Sequence, residues 1–329
     1  MILVLLCVLV ACSRGGEEKR VVRVVRLPYL SMAPLLIAEH EGYFREQQLE
    51  VEFVPFRRAG ESIVALARGQ IDVVAGSVNL MLLNAIEKGA NLRIVADKGH
   101  LTPESCAVSA LMVHPDALRD GALSSLAALK GQKVDFRENS ILSYAYDLLL
   151  RKGGLDLEDV ELVGLPRSTQ LTALENRAVC AISATDPWLT LFQDSGSAVV
   201  WHSIGEAVER LQYSVLVYGP SFLTEAPETG TRFMVGYLKG VRQYNEGKTA
   251  RNLAVVAAAI GVSPSVLSRC CWPEVDREGR IILDGLREYQ EWAVARGELV
   301  RVLPTDALWE PRYVDAASRS LRHSIQGSH

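Results

Sequence analysis

The residues of this chain best equipped to hold a small molecule are few and scattered. Arg137 carries a planar guanidinium that can grip a carboxylate, sulfonate or phosphate through two parallel hydrogen bonds, or can pair with the neighbouring Asp135 and Glu138. Tyr29, Trp188 and Tyr213 offer faces on which a planar ring could stack, although such rings more often pack in a core or a lobe interface. Asp186 stands before Pro187, the pattern of an N-cap followed by a first-turn proline, so its carboxylate is a cap before it is a ligand contact. His100 follows a strand and would reach a rim, where a histidine held by structural neighbours is the commoner case. Cys106, Cys180, Cys270 and Cys271 match no zinc spacing, and no His or Cys cluster surrounds the adjacent pair. Cys106 and Cys180 lie in apolar sequence, where cysteine ordinarily serves as a small buried hydrophobe, and no base or cation stands beside either to make a reactive thiolate. Spacing alone does not say which cysteines pair.

The elements that must position these residues alternate. Strands are expected over 21–27, 49–56, 71–75 and 92–96, with helices over 33–40, 60–68 and 77–88 between them. After a polar, helix-poor stretch, the grammar restarts with strands over 133–136, 160–165, 179–183 and 199–200 and helices over 139–152 and 168–176. The run Ala65 to Val73 is a helix end, a turn and a buried strand, and Ala173 to Ala181 repeats it. Strands alternating with helices at this spacing build mostly parallel sheets. Two such lobes, joined by long strands near 108–115 and 213–219, make a clamshell whose cleft faces the carboxyl ends of the strands. Helix N-termini at Ser77, at Asn139-Ser140 and at Asp186 would present free N–H groups and positive dipole ends to that cleft. Beyond residue 227 the chain reads as helices, with a polar tail expected to fray from Ser318.

The first residues have a different character. Met1 to Ala11 is apolar, ends in Leu9-Val10-Ala11-Cys12, and gives way at once to charged, Gly-rich sequence. An apolar core of about 7–15 residues ending in small residues reads as an export signal, too short for a membrane span. The run resembles a bacterial lipobox, which implies that Cys12 is lipidated and that the rest of the chain lies outside the cytoplasmic membrane. The charge balance is –4, so no basic footprint for nucleic acid is present.

Several stretches together resemble the extracytoplasmic substrate-binding proteins of ABC importers for sulfonates, nitrate, bicarbonate and thiamine-precursor pyrimidines. They are Ala33-Pro34-Leu35-Leu36-Ile37-Ala38 running to Glu41-Gly42-Tyr43-Phe44; Gly69-Gln70-Ile71-Asp72-Val73; Leu129-Lys130-Gly131-Gln132-Lys133-Val134; and Asp186-Pro187-Trp188. The resemblance spans roughly residues 22–316. It implies an α/β fold of the periplasmic-binding-protein type (class II-like), with two α/β lobes and two crossover strands. The expected division is signal and tether over 1–20, lobe 1 over 21–110 plus 219–318, lobe 2 over 111–218 and a flexible tail over 319–329. The pocket positions implied are Tyr29 and Ser31 in the first loop, the loop at Ser77, Arg137 with Asn139 and Ser140, Asp186 with Trp188, and Tyr213; His100 is added as a rim residue. The function implied is capture of a small solute by a monomer and its delivery to a membrane permease, without catalysis, cofactor or metal. The aromatic set around one cation leans towards a planar nitrogen heterocycle such as a pyrimidine vitamin precursor or a flavin. Alkanesulfonate, nitrate and bicarbonate are the alternatives. An enzyme on the same fold, pyrimidine synthase-like or desulfinase-like, is the competing class, and Cys270-Cys271-Trp272 only faintly echoes the first of these.

Overall fold

The computed structural model describes residues 20–56, 59–136 and 140–326. Cys12, Arg137 and Asn139 lie outside the described residues. Ten strands form two sheets of five. They are β1 (Arg20–Arg26), β2 (Leu49–Pro55), β3 (Val73–Ser77), β4 (Arg93–Leu101), β5 (Ser109–Val113), β6 (Lys133–Asp135), β7 (Glu161–Val163), β8 (Ala181–Thr185), β9 (Val199–Ser203) and β10 (Leu211–Tyr218). The first sheet runs β2-β1-β3-β10-β4 and the second β7-β6-β8-β5-β9. In the first, β1 is parallel to β2 and β3, while β10 enters antiparallel between β3 and β4. In the second, β6 is parallel to β7 and β8, while β5 is antiparallel to both β8 and β9.

Side-chain alternation explains how each sheet is buried. On β5, Leu111 and Val113 join one apolar cluster while Ala110 and Met112 join another. A strand whose successive side chains point to opposite faces must do this when both faces are covered. β10 takes the extreme case, with all eight residues buried. One apolar cluster runs through both lobes, and each sheet's other face has a cluster of its own.

The helices Ala33–His40 and Pro227–Tyr244 pack closely because glycine lets them. A Cβ on Gly240 would sit 2.2 Å from the Pro34 carbonyl oxygen, and one on Gly236 would sit 2.6 Å from the Phe44 ring. Gly42, at φ +78°, turns the chain out of the first helix, as its position after His40 and Glu41 predicts.

Three expectations are corrected. β5 and β10 are sheet strands; the lobes are joined by the segments before them, 102–108 and 204–210. β10, assigned from sequence to lobe 2, therefore belongs to the first sheet, and β5 opens the second from residue 109. The tail does not fray at Ser318. Arg312–Gln326 is a helix whose Tyr313, Val314, Ala317 and Leu321, spaced for one helical face, enter the core of the first lobe.

The second lobe is also held from behind. Helix Leu283–Ala295 lies against helix Ile141–Arg151, where Trp292 Nε1 donates to the fully buried Asp147 carboxylate at 2.8 Å. Tyr144 packs on Tyr289 and Trp292, and donates to Glu288. A disulfide joins Cys106, in the first connecting segment, to Cys271. Cys106 is thus not the buried apolar thiol its sequence context suggests; its exposed position in a connecting segment puts it within reach of a partner.

Candidate functional site

The two lobes enclose a cleft of about 900 Å³. The carboxyl end of β3 brings Ser77 to it and the loop after β1 brings Tyr29 and Ser31. β4 contributes Lys98, and β10 contributes Tyr213 and Ser214. From the second lobe come Ser109, Ser140, Tyr146, Arg167, Thr185 and Asp186. Leu27, Phe56, Ile63, Leu80, Met81 and Leu142 supply apolar wall. The cleft therefore combines hydrophobic surface, hydroxyls, three cationic side chains (Lys88, Lys98 and Arg167) and two acids (Asp186 and Glu298).

Lys98 is the most unusual of these groups. It is 1% exposed, and its Nζ donates to Ser31 Oγ at 2.7 Å. Burial lowers its pKa to about 7 against the opposing pull of Asp97. The Asp97 carboxylate is engaged elsewhere. It accepts from the Gly99 N–H, the Asp276 N–H and Gln212 Nε2, each at 2.7 Å, and pairs with His100 Nδ1 at 2.6 Å. Among the described residues Lys98 makes no ion pair.

Arg167 opens helix Arg167–Glu175 on the other side of the cleft. Its guanidinium donates to Gln170 Oε1 at 2.7 Å and to the Ser183 carbonyl at 3.0 Å. Gln170 in turn donates to the buried Asp135, which also accepts the Leu165 N–H. These bonds orient Arg167 without neutralising it, and no ion pair to it is present among the described residues.

The lobes touch at both sides of the cleft. The Ile141 N–H donates to the Val78 carbonyl at 3.1 Å, and Asn79 and Ser140 form a bridge beside it. On the other side the Cys271 N–H donates to Asp186 Oδ2 at 2.5 Å. Asp186 Oδ1 accepts from the backbone and hydroxyl of Thr190 at 3.0 and 2.7 Å. The carboxylate is thus a cap, as expected, but from one position before the cap residue Pro187, and it is also a tie between lobes.

Of the residues expected in the pocket, Tyr29, Ser31, Ser77, Ser140, Asp186 and Tyr213 line the cleft. Ser77 is not a helix cap: it ends β3, and Asn79 caps helix Leu80–Glu87 by accepting the Leu82 N–H at 2.9 Å. The Tyr213 hydroxyl has no hydrogen-bond partner among the described residues. It lies over Gly99, where a Cβ would come within 2.9 Å of it, so glycine is needed there to admit the ring. Burial holds the phenol protonated.

His100 and Trp188 do not line the cleft. His100 is consumed by Asp97 and by Glu274, 3.7 Å from its Nε2. Burial disfavours the imidazolium, but the Asp97 hydrogen bond and the charges of Asp97, Glu274 and Asp276 outweigh it and raise the pKa. Trp188 packs on Phe192 and the second-lobe core. Lys98, Arg167, Tyr146, Ser109 and Thr185 were not foreseen. The signal for Lys98 was present: Asp97-Lys98 continues the apolar run 92–96 inside one strand, and a lysine there must be solvated by something the strand faces. Arg167 carries no such signal. Among the described residues no group of three or more His, Cys, Asp or Glu side chains is placed to hold a metal.

Two α/β lobes with antiparallel exchange strands around one cleft define a protein of the two-lobed periplasmic-binding type. Residues 30–246 match the family model described as NMT1/THI5 like, and the chain belongs to that family. It is 22% identical over 235 residues to a putative aliphatic sulfonates-binding protein of Bacillus subtilis, covering 70% of this chain and 68% of the relative. Among solved structures it is similar to the ligand-binding component of an ABC-type import system from Staphylococcus aureus, with zinc bound. The TM-score is 0.76 and identity 17%, covering 91% of this chain and 99% of the other. The desulfurization enzyme DSZB shares the fold at a TM-score of 0.67 and 16% identity, over 92% of this chain and 99% of the enzyme.

Proposed function

We propose that this protein is the solute-binding component of an ABC import system and captures a small organic anion with an apolar part, an aliphatic sulfonate being the type. The observation that carries this reading is the presence of Lys98 and Arg167, both without carboxylate partners among the described residues, in a cleft walled mostly by hydroxyls and hydrocarbon, where Lys88 adds a third cation and Asp186 and Glu298 are the acids. A sulfonate offers three acceptor oxygens to such donors and a tail to such a wall. The family match and the name carried by the Bacillus relative support it. The partner is a membrane permease. The protein acts as a monomer outside the cytoplasmic membrane, held there by lipid on Cys12, with residues 1–20 as signal and tether.

Capture rather than catalysis is favoured by the thiols. Burial pushes Cys180 and Cys270 up to about 11, and Cys106 and Cys271 are bonded to each other, so none of these four offers a thiolate nucleophile. The heterocycle reading keeps Tyr29 and Tyr213 as cleft walls but loses Trp188.

A thermal-shift panel of alkanesulfonates, nitrate, bicarbonate, pyrimidine vitamin precursors and flavins tests this. A ligand at about 100 times its Kd adds about 2.7 kcal/mol to stability, a plain shift. Stabilisation by sulfonates is expected. Stabilisation by heterocycles alone would overturn the anion reading, and no stabilisation by any member would overturn the capture reading for these solutes.

A further inference from the structure

Lys98 has a consequence beyond holding a ligand. A lysine at a solvated surface binds an anion as a preformed ammonium. Lys98 is 1% exposed, donates one hydrogen bond, to a neutral hydroxyl, and meets no ion-pair partner among the described residues. An ammonium there would leave two N–H donors without protein acceptors among the described residues and a charge without an ion-pair partner there, which is the costly state of a buried amine.

Of the groups around it, the charge of Asp97 relieves that cost only in part. On its own strand, the Asp97 carboxylate is filled by four donors, and His100 faces Asp97 and Glu274 instead of the cleft. From the first turn, Ser31 is neutral; from β10, Ser214 donates to the Gly76 carbonyl and Tyr213 stays protonated. From the second lobe, Asp186 is occupied by Thr190 and the Cys271 N–H, while Arg167 brings a positive charge to the same cleft; from the first, Lys88 brings another, and Glu298 is paired with Arg296 at 3.1 Å.

We propose that capture of an anion in this cleft is coupled to uptake of one proton by Lys98, so that the protein binds anion and proton together. This rests on the anion reading above. Before capture, Lys98 titrates near pH 7, where burial outweighs the pull of Asp97, and is largely a neutral amine above it. The arriving anion supplies the missing counterion and acceptors. The amine lone pair takes a proton from water or buffer, an N–H bond forms, and the ammonium donates to the ligand. No other bond changes. Affinity for an anion that does not itself titrate should therefore fall about tenfold per pH unit above neutrality and level off below it. Arg167 remains charged throughout and contributes a pH-independent share.

The test is isothermal titration of 1-butanesulfonate, anionic at every pH used, into the purified protein in cationic buffers that do not compete for an anion site: imidazole and Tris at pH 8, imidazole and Bis-Tris at pH 6. The buffers of each pair differ in ionisation enthalpy, so the difference in measured heat counts protons. About 0.9 proton taken up per ligand at pH 8, falling towards about 0.1 at pH 6, is expected from a group titrating near 7. Lys98→Met should bind more weakly with no proton uptake, and Lys98→Arg should bind without uptake and with a flat pH profile. Binding with no proton count at pH 8 in the unaltered protein would overturn the coupling and leave the anion reading standing. Uptake that persists in Lys98→Met would overturn the assignment to Lys98. If neither butanesulfonate nor nitrate nor bicarbonate binds the unaltered protein at any pH, the anion reading itself fails.

Discussion

Breaking the Cys106–Cys271 bridge should cost more stability than most single contacts in the molecule. The two cysteines are 165 residues apart in sequence, and the bridge spans the second lobe almost entirely. In the chain-entropy account, a loop of that length removes about 17 cal/mol/K from the unfolded chain, or about 5 kcal/mol at 25 °C. Disulfides usually deliver less than this bound, so about 3–5 kcal/mol is expected from Cys106→Ser with Cys271→Ser. At about 2.1 cal/mol/K per residue, a chain of this size has an unfolding entropy near 0.7 kcal/mol/K, and the melting temperature should drop by about 4–7 °C. The backbone tie from the Cys271 N–H to Asp186 survives the exchange of sulfur for oxygen, so the loss isolates the cross-link. Calorimetry of both proteins under oxidising conditions measures it, and thiol titration of the unfolded chains verifies the bridge. A loss below about 1 kcal/mol, with the bridge shown to be formed in the unaltered protein, would refute the reasoning that long-loop closure stabilises this fold.

Other outcomes follow from the same geometry. Gly240→Ala forces a methyl against the Pro34 carbonyl and Ala38, and should destabilise by about 1–3 kcal/mol, read from the urea midpoint. His100 has a raised folded pKa, so its contribution is fully present below its unfolded value of about 6.5 and is lost as pH rises through the folded value. His100→Gln should therefore cost most at pH 5–6 and least at pH 9; a pH-independent cost would show that the Asp97 pairing does not titrate. Arg167→Met removes charge-assisted bonds to the ligand worth about 1.5–3 kcal/mol, so sulfonate affinity should fall about 10- to 150-fold in titration calorimetry; the bonds to Gln170 and the Ser183 carbonyl go with it, so the melting temperature should fall too.

The alternation of strands and helices was legible because both periods are strong here. β5, at 109–113, falls within the long strand expected near 108–115, and the helix beginning at Ala33 ends, as expected, just before Gly42. Strand membership was less legible. Tyr213 to Tyr218 reads as a buried strand, but nothing local says that it pairs between β3 and β4 rather than with its sequence neighbours in the second sheet. That choice is made by long-range pairing. The site was half legible for a related reason. Loops after strands can be located, so Tyr29, Ser31, Ser77 and Ser140 were found. Which way Trp188 and His100 point depends on partners distant in sequence, Glu274 among them. Lys98 was hidden inside a strand whose expected end, at residue 96, fell two residues short of it and five short of Leu101.

The placement of β10 also sets an order of events for a chain made from its N-terminus. β3 and β4 are synthesised within the first hundred or so residues, yet they are not neighbours; the strand that joins them begins at Leu211. Until that strand emerges, the first sheet has a gap at its middle, with β3 and β4 each exposing a row of unpaired backbone groups. The second sheet has no such dependence, since β5 to β9 arise consecutively. The lobe encoded in the interior of the chain can therefore assemble while the lobe encoded first is still open, and a chain stopped anywhere before Tyr218 carries two sticky edges. Arrival of Leu211 to Tyr218, which pair with both β3 and β4, closes those edges in one step.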